Sequence, residues 1–312
     1  GAKNIRMQTT FYSNGKLLIT GEYLVLDGAR AFALPTKFGQ NLIVENGTNK
    51  EIIWKSYNID ETIWFQDTIS FTEIIENNKT NTETVKSTLT NILHEAYLLN
   101  PDFINNSEGY NISTHLTFPK NWGLGTSSTL LNNIAQWTKI DAFTLLKNSF
   151  GGSGYDIACA QNNTAIIYSL ENNLPIVEQI SFKPDFRGNI YFVYLNKKQS
   201  SKTAINAYYN NKNENLARNI ADNNKLTDAI LNAETAKEFA SALQKHEIHL
   251  SNILEIQTIK EIAFPDFNGV VKSLGAWGGD FVMVISKEDP TVYFKSKGYE
   301  TILSYDKMIL QE

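Results

Sequence analysis

The sequence has one cysteine, Cys159, so no intrachain disulfide can form and a reducing, cytoplasmic setting is expected. Cys159 sits in an apolar stretch and is expected in a core. A basic excess is also missing. Lys and Arg number 28 against 33 Asp and Glu, a formal charge of −5, which argues against a nucleic-acid partner and leaves any anionic ligand to a local basic site. No apolar run of about 18 residues is available to span a bilayer, and the first residues hold no apolar segment of signal-peptide length, so no membrane partner is expected. Three enzyme signatures are absent too. No Gly-Lys-Ser/Thr follows a glycine-rich turn, so there is no Walker A loop, and no nucleophile elbow for Ser-His-Asp hydrolysis is found. His246-Glu247-Ile248-His249 lacks the His-Glu-x-x-His spacing of zinc proteases and reads as a polar helix face.

The chain has 312 residues, 42% of them hydrophobic, which is more than one core usually takes. Two domains, residues 1–180 and 181–312, are expected. Asp27-Gly28 lies between the apolar runs KLLITGEYLVL and ARAFALP and predicts a hairpin, because both residues tolerate the positive φ of a tight primed turn. Short strands are expected over 40–45, 52–56 and 62–65. Over 82–99, Val85, Leu89, Ile92, Leu93, Ala96 and Leu99 recur at helical spacing, and the helix should end before Asn100-Pro101. A strand over 110–118, a glycine-rich turn and a helix to about 140 follow. Asp141 should cap a helix that stops near Phe150, where Gly151-Gly152 give a permissive terminus, and Ser153 should open another. From Gly188 onward the pattern gives the strand NIYFVYL, a polar helical stretch over 201–254, and a strand pair FVMVI and TVYF. Asn-rich stretches are scattered without period and read as compositional bias. The mixture predicts an α+β fold.

Three glycine-rich segments carry candidate chemistry. In Gly123-Leu124-Gly125-Thr126-Ser127-Ser128 the turn feeds a helix start, whose unpaired N–H groups and dipole can hold phosphate while the hydroxyls reach a phosphate-bound cation. The residues alone equally allow Thr126 or Ser127 to be a simple N-cap. In Gly151-Gly152-Ser153-Gly154-Tyr155-Asp156, Asp156 is either part of a capping box or a carboxylate placed to take a hydroxyl proton. In Gly275-Ala276-Trp277-Gly278-Gly279-Asp280, the glycines either admit a ligand close to the backbone or only turn the chain before a strand.

Taken in order, Lys16 and Glu22 in GKLLITGEY, then GLGTSS, then GGSGYDIA, then GAWGGDF resemble the GHMP kinases, the superfamily of galactokinase, homoserine kinase, mevalonate kinase and phosphomevalonate kinase. The resemblance implies a two-domain α+β fold with nucleotide and acceptor in an interdomain cleft. It implies ATP and Mg²⁺ as cofactors, Gly123 to Ser128 around the phosphates, Ser127 toward the metal, Asp156 as base and Lys16 as its catalytic partner. It assigns Glu22, Ser153, Gly154, Tyr155, Gly275, Gly278, Gly279 and Asp280 to the acceptor side. GSGYD and GGDF resemble the phosphomevalonate kinases most, and Lys197-Lys198-Gln199-Ser200-Ser201-Lys202-Thr203 occupies the place of a polar loop near an anionic acceptor, with Ser200, Ser201 and Lys202 as its contacts. The same loop also reads as a solvated basic turn. Two departures stand out. Trp277 replaces a small residue and is expected to narrow the pocket, and the mevalonate-kinase glutamate that binds Mg²⁺ has no counterpart, Asp141 being the nearest acid. The leading expectation is a kinase acting on mevalonate 5-phosphate or mevalonate. A sugar or amino-alcohol kinase, an ATP-dependent decarboxylase and a non-catalytic nucleotide or metabolite sensor are its rivals, and a homodimer is left open.

Overall fold

Strands that alternate buried and exposed side chains, and helices that bury every third or fourth residue, divide the chain between two hydrophobic cores. In the computed structural model, which describes residues 8–78, 83–197, 202–211, 214–275 and 277–311, these cores define two compact units. The first holds residues up to 15, 38–120 and 124–161. The second holds 16–37, 121–123 and the chain from 162 onward. Strands β1 (Gln8–Thr20) and β2 (Ala31–Asn46) pair with each other and contribute residues to both units.

In the first unit β3 (Glu51–Tyr57), β4 (Ile63–Ser70), α1 (Phe71–Glu76), α2 (Val85–Leu99), α3 (Asp102–Asn105) and β5 (Tyr110–Leu116) precede α4 (Thr126–Thr138), α5 (Ala142–Asn148) and α6 (Tyr155–Gln161). The strands run in the order β4-β3-β5-β2, with β3 and β5 parallel and the other pairs antiparallel. The register sets Trp54 opposite Ile112 and Ile112 opposite Val44, so one sheet face is continuously apolar. Leu89, Ile92, Leu93 and Ala96 of α2 and Leu131, Ile134 and Ala135 of α4 pack on it. Trp54 is 1% exposed, and its indole N–H donates to Ser56 Oγ at 3.0 Å, so burial leaves no stranded donor.

The second unit adds β6 (Ala165–Glu171), β7 (Leu174–Ile180), β8 (Ile190–Tyr194), α7 (Lys202–Asn211), α8 (Leu216–Asn232), α9 (Ala236–Leu254), α10 (Ile259–Ala263), β9 (Val270–Ser273), β10 (Phe281–Ile285), α11 (Thr291–Ser296), β11 (Ile302–Ser304) and α12 (Tyr305–Met308). Its antiparallel sheet runs β11-β8-β10-β9. Every residue of β10 is buried, which is why FVMVI is apolar without alternation. Among the described residues no helix is long and apolar enough to cross a membrane.

The mixed α+β class, the helix over Val85–Leu99, the strand Tyr110–Leu116, the Asp141 cap and the buried Cys159 agree with the sequence. Two expectations are corrected. Asp27-Gly28 does not make a two-residue hairpin: Leu24–Asp27 forms a 3₁₀ turn with Leu24 and Val25 buried, and Gly28, at φ 102°, closes it by donating to Val25 O at 3.2 Å. TVYF is helical, because Asp289 Oδ1 accepts the Thr291 N–H at 2.9 Å and Phe294 then turns inward to meet Phe264 edge-on at 5.0 Å. The polar stretch over 201–254 is helical as expected, as α7, α8 and α9.

Asp141 accepts from Thr144 N at 3.0 Å and Thr144 Oγ1 at 2.7 Å. Asp141→Ala should therefore cost about 1 kcal/mol in urea denaturation, the usual worth of such a cap. A loss within error would remove that role.

Candidate functional site

Within the second unit, three segments far apart in sequence meet at Gly123. Lys16 Nζ, on β1, donates to the Gly123 carbonyl at 3.0 Å. Gly123 has φ +72°, and a Cβ there would stand 2.4 Å from Cγ of Asp280, so the Asp280 carboxylate fills the space that any side chain would need. Asp280 itself has φ 56°, its N–H donates to Lys197 O at 2.9 Å, and its carbonyl accepts from Leu195 N at 2.8 Å. Tyr194 Oη donates to Asn121 O at 3.0 Å and Trp122 packs edge-on against Phe281 at 5.2 Å, which fixes the Asn121–Gly123 segment. Burial, and after it the charge of Asp280, raises the Tyr194 pKa. Lys16, Gly123 and Asp280 thus come together in this unit.

Glu22 is placed differently from an open ligand. It is 2% exposed, and its Oε1 meets Lys272 Nζ at 3.1 Å. Lys272 also donates to Ser273 O at 2.8 Å and lies 3.8 Å from Glu247 Oε1, while Glu247 Oε2 accepts from Ser273 N at 3.0 Å and Oγ at 2.9 Å. Burial raises the Glu22 pKa to about 7 although Lys272 opposes the shift. Burial raises Glu247 as well. His246 is pushed down by burial and then by Lys272. The expected polar face over 246–249 is therefore corrected: His246 and Glu247 are 1% and 3% exposed, and His246 Nε2 pairs with Asn223 Oδ1 at 2.9 Å. Among the described residues no group of His, Cys, Asp and Glu is arranged to hold a metal.

Trp277 does not narrow an opening. It is 5% exposed inside a cluster with Tyr23, Leu24, Tyr208 and Leu250, where its N–H donates to Tyr23 Oη and its indole to Gln257 O, both at 3.3 Å. Tyr23 holds φ 65° and ψ −48°, a conformation costly for an aromatic residue and typical of functional turns. Gly275 and Gly278 take positive φ, 62° and 88°. Ser200 and Ser201 lie outside the described residues, and Lys202 is an exposed residue at the start of α7.

In the first unit, Gly125 rather than Thr126 or Ser127 stands at the N-cap of α4. Its φ of 98° lets its carbonyl accept from Thr129 N at 3.0 Å. Leu124 is buried, Ser127 is exposed on the first turn, and Ser128 Oγ donates to Gly125 O at 3.2 Å. The first-turn N–H groups have no intrahelical acceptor, so the end is suited to an anion. Gly154 plays the same part for α6, accepting from Ala158 N at 3.1 Å. Ser153 and Tyr155 are half-buried, as is Asp156, whose Oδ1 accepts from Ile157 N at 3.0 Å. A buried network missed in the sequence joins the two helices: Gln161 Nε2 donates to Asn132 Oδ1 at 3.0 Å, Asn132 Nδ2 to Ser13 Oγ at 2.8 Å, and Ser13 Oγ to Asn133 Oδ1 at 2.7 Å. Gln40 Nε2 donates to Thr126 O at 2.9 Å and braces the first turn. The same unit has a cleft of about 630 Å³ lined by residues of α1 and α2, including Thr72, Asn77, Lys86 and Asn91, with Ser149 and Phe150.

Neither a family model nor a curated protein matches the sequence. Solved structures do. Mevalonate kinase from Methanococcus jannaschii superposes with a TM-score of 0.70 at 18% identity, over 100% of each chain. Phosphomevalonate kinase from Streptococcus pneumoniae, in complex with phosphomevalonate and AMPPNP, gives 0.68 at 15%, over 95% of this chain and 99% of the other. Galactokinase from Lactococcus lactis gives 0.65 at 14%, over 93% and 88%. The chain therefore has the fold of the GHMP kinases.

Two outcomes follow. Gly123→Ala must displace Asp280, and should lower the melting temperature and the proteolytic resistance of the second unit; a variant with unchanged melting would show the contact to be dispensable. For Glu22, the folded pKa of about 7 exceeds the ordinary 4.5, so the fold binds the extra proton and loses stability as pH rises through that window. His246 acts with the opposite sign, its contribution being lost as pH falls. Glu22→Gln should flatten the urea-denaturation profile between about pH 5 and pH 7, leaving the contribution of Glu247, which burial also raises, and an unaltered profile would refute the assignment.

Proposed function

We propose that this chain is an ATP-dependent kinase that transfers the γ-phosphoryl group to a small anionic acceptor, with mevalonate 5-phosphate or mevalonate as the leading candidates. The observation that carries the reading is the meeting of Lys16, Asp280 and the Gly123 backbone, drawn from three segments far apart in sequence, on a fold that matches kinases over its whole length. A binding protein with no chemistry to perform has no need of a lysine pinned to the phosphate-loop carbonyl.

Phosphoryl transfer proceeds through a loose transition state, so positioning and charge neutralisation matter more than basicity. The first turn of α4, capped by Gly125 and with Ser127 exposed, offers N–H groups to the phosphate chain. The donor set suits Mg²⁺ delivered on ATP: Ser127 presents a hydroxyl, and magnesium commonly keeps its waters and phosphate ligands. Bound there, Mg²⁺ would neutralise charge on the β- and γ-phosphates. Lys16 would neutralise charge on the transferring group. Asp156, on a helix braced against α4, would orient the acceptor hydroxyl and take its proton. Lys202 favours an anionic acceptor. Use of ATP and the single cysteine favour a cytoplasmic setting.

The test is Mg²⁺-dependent ADP release from ATP with mevalonate, mevalonate 5-phosphate, galactose and homoserine, with CO₂ release monitored to detect a decarboxylase. Asp156→Asn should reduce turnover by roughly 10²–10⁴-fold with ATP affinity retained in calorimetry. Undiminished turnover would sink the role of Asp156, and ATP binding without turnover on any acceptor would favour a sensor.

A further inference from the structure

The buried cluster at Lys272 is left unused by the chemistry above. An ammonium at 0% exposure between carboxylates at 2% and 3% is an expensive arrangement, and well-packed apolar residues would often serve stability as well. Stability alone does not account for it. What the three residues join is more informative. Glu22 belongs to the turn that follows β1, the strand that carries Lys16, and lies between Gly21 at φ 93° and the strained Tyr23 at φ 65°. A Cβ at Gly21 would stand 2.7 Å from Cα of Ala31, so this turn is pressed against β2 and cannot shift freely. Lys272 and Ser273 end β9, immediately before the glycine loop that finishes at Asp280. Glu247, on α9, holds Ser273 by both its N–H and its hydroxyl. A second contact runs in parallel, from Trp277 N–H in the loop to Tyr23 Oη in the turn at 3.3 Å.

We propose that Lys272 is a positioning residue: gripped by Glu22 and Glu247, it fixes the Gly21–Tyr23 turn against the Gly275–Asp280 loop and so sets Lys16 and Asp280 about the Gly123 backbone. Glu22 acts through Lys272 and does not touch the acceptor. Both segments are anchored to one ammonium, so a displacement at either end is passed to the other, and the lysine and the carboxylate that flank Gly123 hold their spacing. The catalytic consequence rests on the kinase reading; the mechanical coupling does not.

The experiment compares Lys272→Met, Lys272→Arg, Glu22→Gln and the Glu22→Gln/Lys272→Met double variant by melting temperature, kcat and KM, and amide hydrogen exchange over 18–26 and 270–282. Lys272→Met should lower kcat roughly 10-fold or more and speed exchange in both peptides about 10-fold, with β8 still protected. Lys272→Arg should recover part of both. The double variant, relieved of one uncompensated charge, should regain much of its melting temperature while kcat and exchange stay impaired. A double variant that recovers kcat along with its melting temperature overturns the proposal, since charge compensation would then be the whole role. Glu22→Gln that raises the acceptor KM about 10-fold with exchange unchanged overturns it too, by placing Glu22 on the acceptor. Should the wild-type protein turn over no acceptor, exchange still decides: coupled loosening of both peptides upholds the clamp and sinks only the kinase reading, whereas loosening of neither sinks the clamp.

Discussion

Lys272 Nζ lies 3.1 Å from Glu22 Oε1 and 3.8 Å from Glu247 Oε1, with none of the three side chains reaching water. Removing either partner of such a group strands the other, at a cost of roughly 3–5 kcal/mol, so the elements that supply the charges are bound to one geometry. Those elements are the end of β1, the end of β9 and the middle of α9. The second unit can vary its surface, but the relation of these three is set. Trp277 and Tyr23 pack alongside and exclude solvent from the flank of the cluster, and Tyr208 stacks on Tyr23 with ring centroids 6.1 Å apart. The strained backbone of Tyr23 persists because it is tied on both sides.

Much of the fold was legible because its signals are local. The spacing of Val85, Leu89, Ile92, Leu93 and Ala96 implies α2, and Asp141 with its acceptor role implies the start of α5. Where the sequence misled, a non-local contact decided. TVYF has strand composition, yet Asp289 caps it and the buried site opposite Phe264 takes Phe294 from a helix. Asp27-Gly28 has turn composition, but the burial of Leu24 and Val25 winds the preceding residues into a 3₁₀ turn first. The asparagines are the clearest case. Composition makes them look like background, whereas Asn132, Asn133 and Asn223 are 1%, 0% and 0% exposed and carry the hydrogen bonds that join helices. Nothing in a single sequence separates a structural asparagine from its neighbours, because the distinction lies in which side chain stands across the core.

The candidate site divides along the same line. Gly123 and Asp280 stand in glycine-rich segments that the sequence marks as candidates, since close backbone approach restricts the residue types that fit, whereas Lys16 was named through the resemblance of GKLLITGEY. Lys272 and Glu247 carried no such mark. A lone lysine in a strand and a glutamate in a polar helix are ordinarily solvated, and their burial follows from β9 packing against α9, a tertiary fact. Trp277 illustrates the converse. Its position inside a glycine loop suggests a ligand-facing wall, but its indole turns into the apolar cluster and donates to Gln257 O, while its backbone N–H donates to Tyr23 Oη of the same cluster.

Glycine at 123 is required by space. A Cβ would collide with the carboxylate of Asp280, a residue whose backbone is held on both sides by its bonds to Lys197 O and Leu195 N. With hydrogen in place of a side chain, the carbonyl at 123 can accept the Lys16 ammonium while the Asp280 carboxylate lies against the α-carbon.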